Sequence, residues 1–422
     1  MLTLGLLRCC RNAGLAVAGA KTGPDYIDPA FHAAAAGRQS FNLDSWAMPP
    51  AQLRALAVAA SEACELVFCE GVMGLFDGVP GQEGRTGSTA DTAAALGWPV
   101  LLVIDAGRQS QTAAAIVKGC ATFDPRIEIA GVVLNRVASE RHRRLVTDAV
   151  QALGIPVLGA LPNDDKIKLP ERHLGLVQAA ETGNLDAALD RIADFVAAHT
   201  DVQSIVSSAQ ALADSPRGTV SAMPPPAQHI AAASDAAFSF LYAHILAGWH
   251  GQGAEIAFFS PLADEPPPGH CGFCFLPGGY PELYAGRIAG AAQFLAGLRN
   301  FAERNPVHGE CGGYMVLGQS LKDQSGDTFR MAGLLDASFS YARRELHLGY
   351  RQARLAGAHP LGPDGAILRG HEFHYACLEQ RNARAAPFAF VRDAHGGPEQ
   401  AEGERRGKVS GSFFHVIASE AP

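Results

Sequence analysis

Short apolar runs alternate with longer Ala-rich stretches of helical spacing through the first 200 residues. The runs at 15–20, 65–69, 100–104, 129–134 and 156–159 read as strands, and 52–63 and 111–118 as two of the helices between them. This alternation predicts an α/β fold on a mostly parallel sheet. Lys21, Glu70, Asp105 and Asn135 each follow a run directly. In a doubly wound sheet such positions meet along one edge, where ligands bind. The opening segment is apolar from Met1 to Leu7 but interrupted by Arg8 and Arg11, with no positive stretch ahead of it. It predicts an amphipathic helix rather than a signal peptide.

The pattern breaks near residue 201. Residues 201–231 are rich in Ser, Ala, Gln and Pro, with Pro224, Pro225 and Pro226 in a row, and read as an exposed linker between domains 1–200 and 232–422. Alternation resumes at 236–242 and continues through 255–259, 272–276, a strand at Val307 and a last segment at 412–415. A chain of 422 residues is long enough for two cores. Its 48% hydrophobic and 18% charged residues describe an ordinary globular protein. A net charge of −8 without a dense Lys/Arg run speaks against a nucleic-acid partner. No apolar run approaches the roughly 18 residues a membrane span needs. Nine irregularly spaced cysteines suit a reducing cytoplasm better than a disulfide framework.

The chemistry centres on Cys311, at the end of a β-branched strand and flanked by Gly309, Gly312 and Gly313. Glycine lets the backbone turn sharply there, and a helix beginning at the turn would lower the thiol pKa and offer N–H groups to an oxyanion. Gly278 and Gly279, upstream, can donate the other oxyanion N–H, and His415, near the C-terminus, can serve as base. A single cysteine is otherwise a small buried hydrophobe. In the first half, Asp25, Asp28, Glu70 and Asp77 form an acidic group suited to a hard cation such as Mg²⁺. Lys21 can neutralise charge on a transferring phosphoryl group. An isolated Asp beside Gly or Pro is otherwise a loop cap. Cys271 and Cys274 have CxxC spacing but lie in an apolar run and read as core sulfurs, and Cys9–Cys10 says little. His371 and His374, around Glu372, can meet substrate carboxylates or make structural hydrogen bonds. The string Tyr341-Ala342-Arg343-Arg344, with Arg351, provides cations, which read as solvated surface.

The strings Leu276-Pro277-Gly278-Gly279-Tyr280-Pro281-Glu282 and Gly309-Glu310-Cys311-Gly312-Gly313 resemble the class I glutamine amidotransferase domain, and within it the cobyrinate subgroup. The segments 21–29, 41–44, 70–78, 169–176 and 370–375 are similar to cobyrinate or hydrogenobyrinate a,c-diamide synthases. The resemblance implies a P-loop-NTPase-like (dethiobiotin-synthetase-like) parallel-sheet domain at 1–200. It implies a flavodoxin-like amidotransferase domain at 232–422. It implies that ATP activates the a and c carboxylates of a corrin ring as acyl phosphates, and that ammonia from glutamine displaces the phosphate, in cobalamin biosynthesis. The implied partners are small molecules (a corrin polycarboxylate, glutamine and ATP, with Mg²⁺), in the cytoplasm, and a homodimer stays open. Cys311 and His415 would be catalytic, with Gly278, Gly279 and Gly312 around glutamine and its oxyanion. Lys21, Asp25, Tyr26, Ile27, Asp44, Glu70 and Asp77 would line the substrate and ATP site, Glu70 and Asp77 nearest the metal.

Two departures accompany the resemblance. Class I triads usually carry a glutamate two residues after the histidine, where Ile417 stands here, so His415 has no obvious orienting carboxylate. The family's phosphate-binding loop, ending in Gly-Lys-Thr, precedes the segment that matches residues 2–7. A mis-called start is the plainest explanation, and the chain as given is expected to bind ATP poorly. The alternative is a truncated copy that only hydrolyses glutamine or binds a tetrapyrrole. A relative acting on nickel-sirohydrochlorin belongs to the same chemistry; carboxylation of the dethiobiotin type would have no use for the Cys311 domain.

Overall fold

A computed structural model describes residues 1–164, 167–169, 171–172, 175–212 and 223–420. Pro170, His173 and Leu174 of the 169–176 string, and residues 213–222 of the expected linker, lie outside the described residues. The chain divides into two units, Met1–Val220 and Ser221–Pro422.

The first unit runs α1 (Leu2–Asn12), β1 (Val17–Thr22), α2 (Ile27–Ala36), β2 (Phe41–Leu43), α3 (Pro50–Ser61), β3 (Leu66–Glu70), α4 (Thr89–Leu96), β4 (Val100–Asp105), α5 (Thr112–Phe123), β5 (Ile129–Val137), α6 (Glu140–Gln151) and β6 (Val157–Pro162). A two-residue pair, β7 (Glu171–Arg172) and β8 (Gly175–Leu176), and helices α7 (Leu185–His199) and α8 (Val202–Ser207) follow. Strands β1 to β6 form two three-stranded parallel sheets, ordered β2-β1-β3 and β4-β5-β6. The expected single sheet is therefore hydrogen-bonded in two halves, and Val103 on the edge strand β4 is 47% exposed. Register brings Lys21 opposite Glu70 and Asp105 opposite Asn135, so the strand-end residues meet within each half.

The first helix is amphipathic as its spacing requires. It buries Leu4, Leu6, Leu7 and Cys10, and Gly5 admits Val196 of α7 so closely that a β-carbon there would lie 2.3 Å from its methyl. The reading of 201–231 as linker throughout needs correction. Asp201 caps α8, its carboxylate accepting from the Ser204 N–H at 2.9 Å, and β9 (His229–Ala233) begins inside the range. The polar composition that suggested a linker is here a helix cap.

In the second unit a central sheet has the order β10-β9-β11-β12-β22-β21. Its strands are β9, β10 (Glu255–Phe259), β11 (Phe273–Leu276) and β12 (Val307–Glu310), joined later by β21 (Glu404–Arg406) and β22 (Val409–Ser412). All pair in parallel except β21. Helices α9 (Ala243–Gly251), α10 (Ala285–Gly290), α11 (Ala292–Arg304) and α12 (Gly312–Leu317) connect them. Strands β13 (Ser320–Lys322), β14 (Thr328–Arg330), β15 (Ser338–Ser340) and β18 (Cys377–Gln380) form a second sheet. A five-stranded antiparallel sheet takes β16 (His347–Leu355), β17 (Ile367–His374), β19 (Ala389–Asp393), β20 (Gln400–Glu402) and β23 (His415–Ser419). The small apolar residues of β9 and the aromatic ones of β11 are buried almost without break, as strands covered on both faces must be. Residues 236–242 are not the first strand of this unit. Phe238 and Phe240 instead fill a turn whose Phe240 N–H donates to the Gly278 carbonyl at 3.0 Å.

Candidate active site

Because β11, β12 and β22 are parallel neighbours, the segments that follow them emerge at one edge of the sheet. Cys311 stands on the corner between β12 and α12 with φ 47° and ψ −102°, a region side chains other than glycine rarely occupy. Gly313 makes the corner feasible: a β-carbon there would lie 1.9 Å from the Leu276 carbonyl oxygen. A β-carbon on Gly278 would lie 2.4 Å from His415 Cε1 and 3.3 Å from Cys311 Cβ. The thiol-bearing carbon and the imidazole therefore both face the space that Gly278 leaves open. Gly279 N is 3.1 Å from where a Gly312 β-carbon would stand, so the two backbone segments run side by side at the sulfur.

His415 is fully buried. Its ring stacks on His371 (centroids 5.3 Å apart, 19° between planes), and His371 Nε2 is 2.9 Å from the Tyr242 hydroxyl. The Glu310 carboxylate stands 3.7 Å from His415 Nδ1. The expectation that His415 lacks a neighbouring acid is corrected; the acid precedes the cysteine instead of following the histidine. Ile417 is buried, and its carbonyl is bonded to His244 Nε2 at 2.9 Å.

The electrostatics also differ from expectation. Burial pushes the Cys311 thiol up, Glu282, Glu310 and Glu372 push it further, and only the Gly312 N–H opposes them. With one short helix turn and a sealed site, desolvation outweighs the expected lowering. Burial likewise drives His415 well below its ordinary value, helped by His371 and His374, and raises Glu310 to about 8. Burial thus moves the thiol, the imidazole and the Glu310 carboxyl toward their uncharged forms.

In the first unit, Lys21 Nζ donates to Asp28 Oδ2 at 2.6 Å and to the Gly71 carbonyl at 3.3 Å, with Glu70 Oε1 at 3.9 Å. Burial lowers the Lys21 pKa, but Glu70 and Asp28 more than offset it, and the net shift is upward. Glu70 is opposed by burial yet held down to about 2 by the His32 hydrogen bond and the Lys21 charge. His32, whose Nε2 is 2.5 Å from Glu70 Oε2, escaped the sequence reading. Its spacing of four from Asp28 on α2 was the available signal. Asp25 caps α2 through the N–H groups of Ile27 (2.6 Å) and Asp28 (3.1 Å), and burial together with Asp28 raises its pKa. Tyr26 and Ile27 are buried beside it. Asn42 ties 41–44 to this turn through the Asp25 and Gly23 carbonyls. Asp44, fully buried, accepts from the Trp46 and Ala47 N–H groups and closes its own turn. Asp77 accepts from the Gly74 N–H at 2.9 Å within the loop after β3.

Glu70 and Asp77 are oxygen donors of the type Mg²⁺ takes, and Glu70 is held ionised, so their chemistry fits that ion. Among the described residues, Glu345, His347 and Cys377 bring ligand atoms within 4.8 Å of one another. Arg343 beside Cys377 opposes a cation there, and the thiol donates to its carbonyl. Cys271 and Cys274 are buried and free, as core sulfurs. Arg351 is not merely solvated: it pairs with Glu372 at 2.9 Å. His374 Nδ1 is 2.8 Å from the Ala376 carbonyl, a structural bond. A cavity of about 150 Å³ opens at the ends of β5 and β6, lined by Met1, Asn135, Leu161, Asp164 and Lys168. Among the described residues no helix is long and apolar enough to cross a membrane.

Comparison with known proteins adds the following. The CobQ/CobB/MinD/ParA nucleotide binding domain matches residues 1–177, and the CobB/CobQ-like glutamine amidotransferase domain matches 229–422. The hydrogenobyrinate a,c-diamide synthase of Mesorhizobium japonicum is 54% identical over 417 residues, covering 99% of this chain and 95% of that protein. The enzymes of that name from Agrobacterium fabrum (53% over 418 residues) and Rhodobacter capsulatus (54% over 420) match over the same shares.

Proposed function

We propose a function that proceeds from kinship: the chain belongs to the cobyrinate/hydrogenobyrinate a,c-diamide synthase family, an amidotransferase domain joined to a nucleotide-binding domain. It amidates the a and c carboxylates of hydrogenobyrinate, with glutamine as nitrogen donor and ATP as activator. A carboxylate oxygen is a poor leaving group. The corrin carboxylate therefore attacks the terminal phosphorus of ATP, releasing ADP and forming an acyl phosphate. Ammonia then adds to the acyl carbon and phosphate departs. The ammonia comes from glutamine: the Cys311 sulfur attacks the side-chain amide, His415 takes the thiol proton and gives it to the leaving nitrogen, and water hydrolyses the thioester to glutamate. The N–H groups of Gly279 and Gly312 receive the oxyanion, and Gly278 leaves room for the imidazole.

In the first unit Lys21 meets the negative phosphoryl group, and Asp25, Tyr26, Ile27 and Asp44 shape the turn that receives the substrate. Mg²⁺, when bound through Glu70 and Asp77, would neutralise phosphate charge. Nine free cysteines favour a cytoplasmic setting. The observation that carries this reading is the meeting of Cys311 and His415 over Gly278 in a chain 54% identical to an enzyme of that name. The test is amide formation on hydrogenobyrinate. Cys311→Ala should lose glutamine-supported turnover by about 10³-fold or more. Full glutamine-supported turnover without the sulfur would refute the reading.

A further inference from the structure

Glu310 is 4% exposed and borders a small, mostly apolar space with Phe240, Leu241, Tyr242, Ile245, Phe275 and Val416. A carboxyl in such surroundings is costly unless its oxygens are engaged. Oε1 accepts the Val416 N–H at 3.3 Å, with His308 Nε2 4.0 Å away. Oε2 faces His415 Nδ1 at 3.7 Å. The placement follows from topology: Glu310 is the register partner of Ser412, and the chain turns from there directly into β23, which His415 opens.

We propose that Glu310 is the positioning residue of the glutaminase site: its carbonyl oxygen closes the 3.7 Å gap to accept the His415 Nδ1–H so that Nε2 remains the base for the Cys311 thiol. The carboxyl still offers that oxygen in the uncharged form that burial favours near neutral pH. Cε1, the His415 atom nearest the space left by Gly278, lies between the two ring nitrogens. With Nδ1 turned to Glu310, Nε2 is the ring nitrogen that remains to act as base. The neighbouring imidazoles are held elsewhere, His371 by Tyr242 and His374 by the Ala376 carbonyl. The position two residues after His415 holds the buried Ile417, which offers no acid. The acid that fixes the base therefore comes from the residue before the nucleophile. Two adjacent residues, Glu310 and Cys311, thus both border the imidazole's surroundings, Glu310 at Nδ1 and Cys311 across the space of Gly278.

The inference rests on Cys311 being the nucleophile, and the test separates the two. Glu310→Gln keeps the volume and an oxygen for the Val416 N–H, but its amide can present a donor to Nδ1 and favour the other tautomer. Expected is a kcat for glutamine hydrolysis at least about 10²-fold lower with KM for glutamine within about threefold, and partial recovery in Glu310→Asp. A purely structural Glu310 would instead lower the folded fraction and leave kcat per folded molecule intact; that result, or a wild-type kcat, overturns the proposal. ¹⁵N NMR of His415 in the wild-type protein gives a second check, independent of whether the variant folds. A proton on Nδ1 is expected, and one on Nε2 alone would overturn the assignment. Cys311→Ala is measured alongside. Retained hydrolysis in that variant would remove the underlying reading, whereas its loss together with an unaffected Glu310→Gln removes only this inference.

Discussion

In the first unit Lys21, Asp28, Glu70 and His32 form a linked set of charged and polar contacts, with the carboxylates of Asp28 and Glu70 about a quarter exposed. In the second, Cys311, His415 and Glu310 sit almost wholly out of water, and burial moves all three toward their uncharged forms. The same desolvation acts at both places. It wins where no opposite charge is fixed nearby and loses where a lysine and a histidine are. Under the proposed function, the site for phosphate and carboxylate groups thus keeps its charges standing. The site of the thiol nucleophile, under the same proposal, keeps its charges suppressed.

The contrast can be broken by removing the balance at Glu70. Its folded pKa, about 2, lies below the ordinary 4.5, so its contribution to stability is present above that ordinary value and fades as pH falls toward 2. Allowing for partial exposure, Glu70→Gln should cost about 2–3 kcal/mol at neutral pH. It should also flatten the acid limb of a stability–pH curve from denaturant titration. An unchanged curve would mean the pairs do not hold the first unit together. At the other site, Gly278→Ala places a methyl against His415 Cε1 and should lower glutaminase kcat about 10²-fold with native circular dichroism. Wild-type turnover there would mean the imidazole works from elsewhere.

Smaller, but more specific to the contrast, is the pH dependence of Cys311 alkylation by iodoacetamide without glutamine. A raised thiol pKa predicts slow labelling at neutral pH, rising about tenfold per pH unit. Ionisation of Glu310, near pH 8, should flatten the rise by repelling the thiolate, and Glu282 and Glu372 act in the same sense. A plateau below pH 7 would contradict a raised thiol pKa.

Which of these features the sequence could reveal follows from their range. Strand centres were legible because a buried parallel strand is a continuous apolar run, but strand ends were not: β1 extends through Lys21, and the three residues of β2 are too few to show a period. The split into two half-sheets depends on pairing between distant segments and leaves no local mark. Cys311 with its glycines was legible since a tight corner is a local demand. The His32–Glu70 contact and the approach of Glu310 to His415 were hidden, each joining residues far apart in the chain. The direction of the Cys311 shift was misjudged because a helix start is visible in sequence and desolvation is not.

The account turns on nitrogen leaving glutamine at one sulfur and arriving on an activated carboxylate. Hydrogenobyrinate, ATP and glutamine labelled with ¹⁵N in the side-chain amide, followed by mass spectrometry of the product, test this most directly. The account predicts two labelled amides when Cys311 is present and ATP is supplied at saturation. With Cys311→Ala it predicts none from glutamine, and amidation only when ammonium is supplied. Labelled product from the Cys311→Ala variant, or unlabelled product from the intact chain, would contradict it.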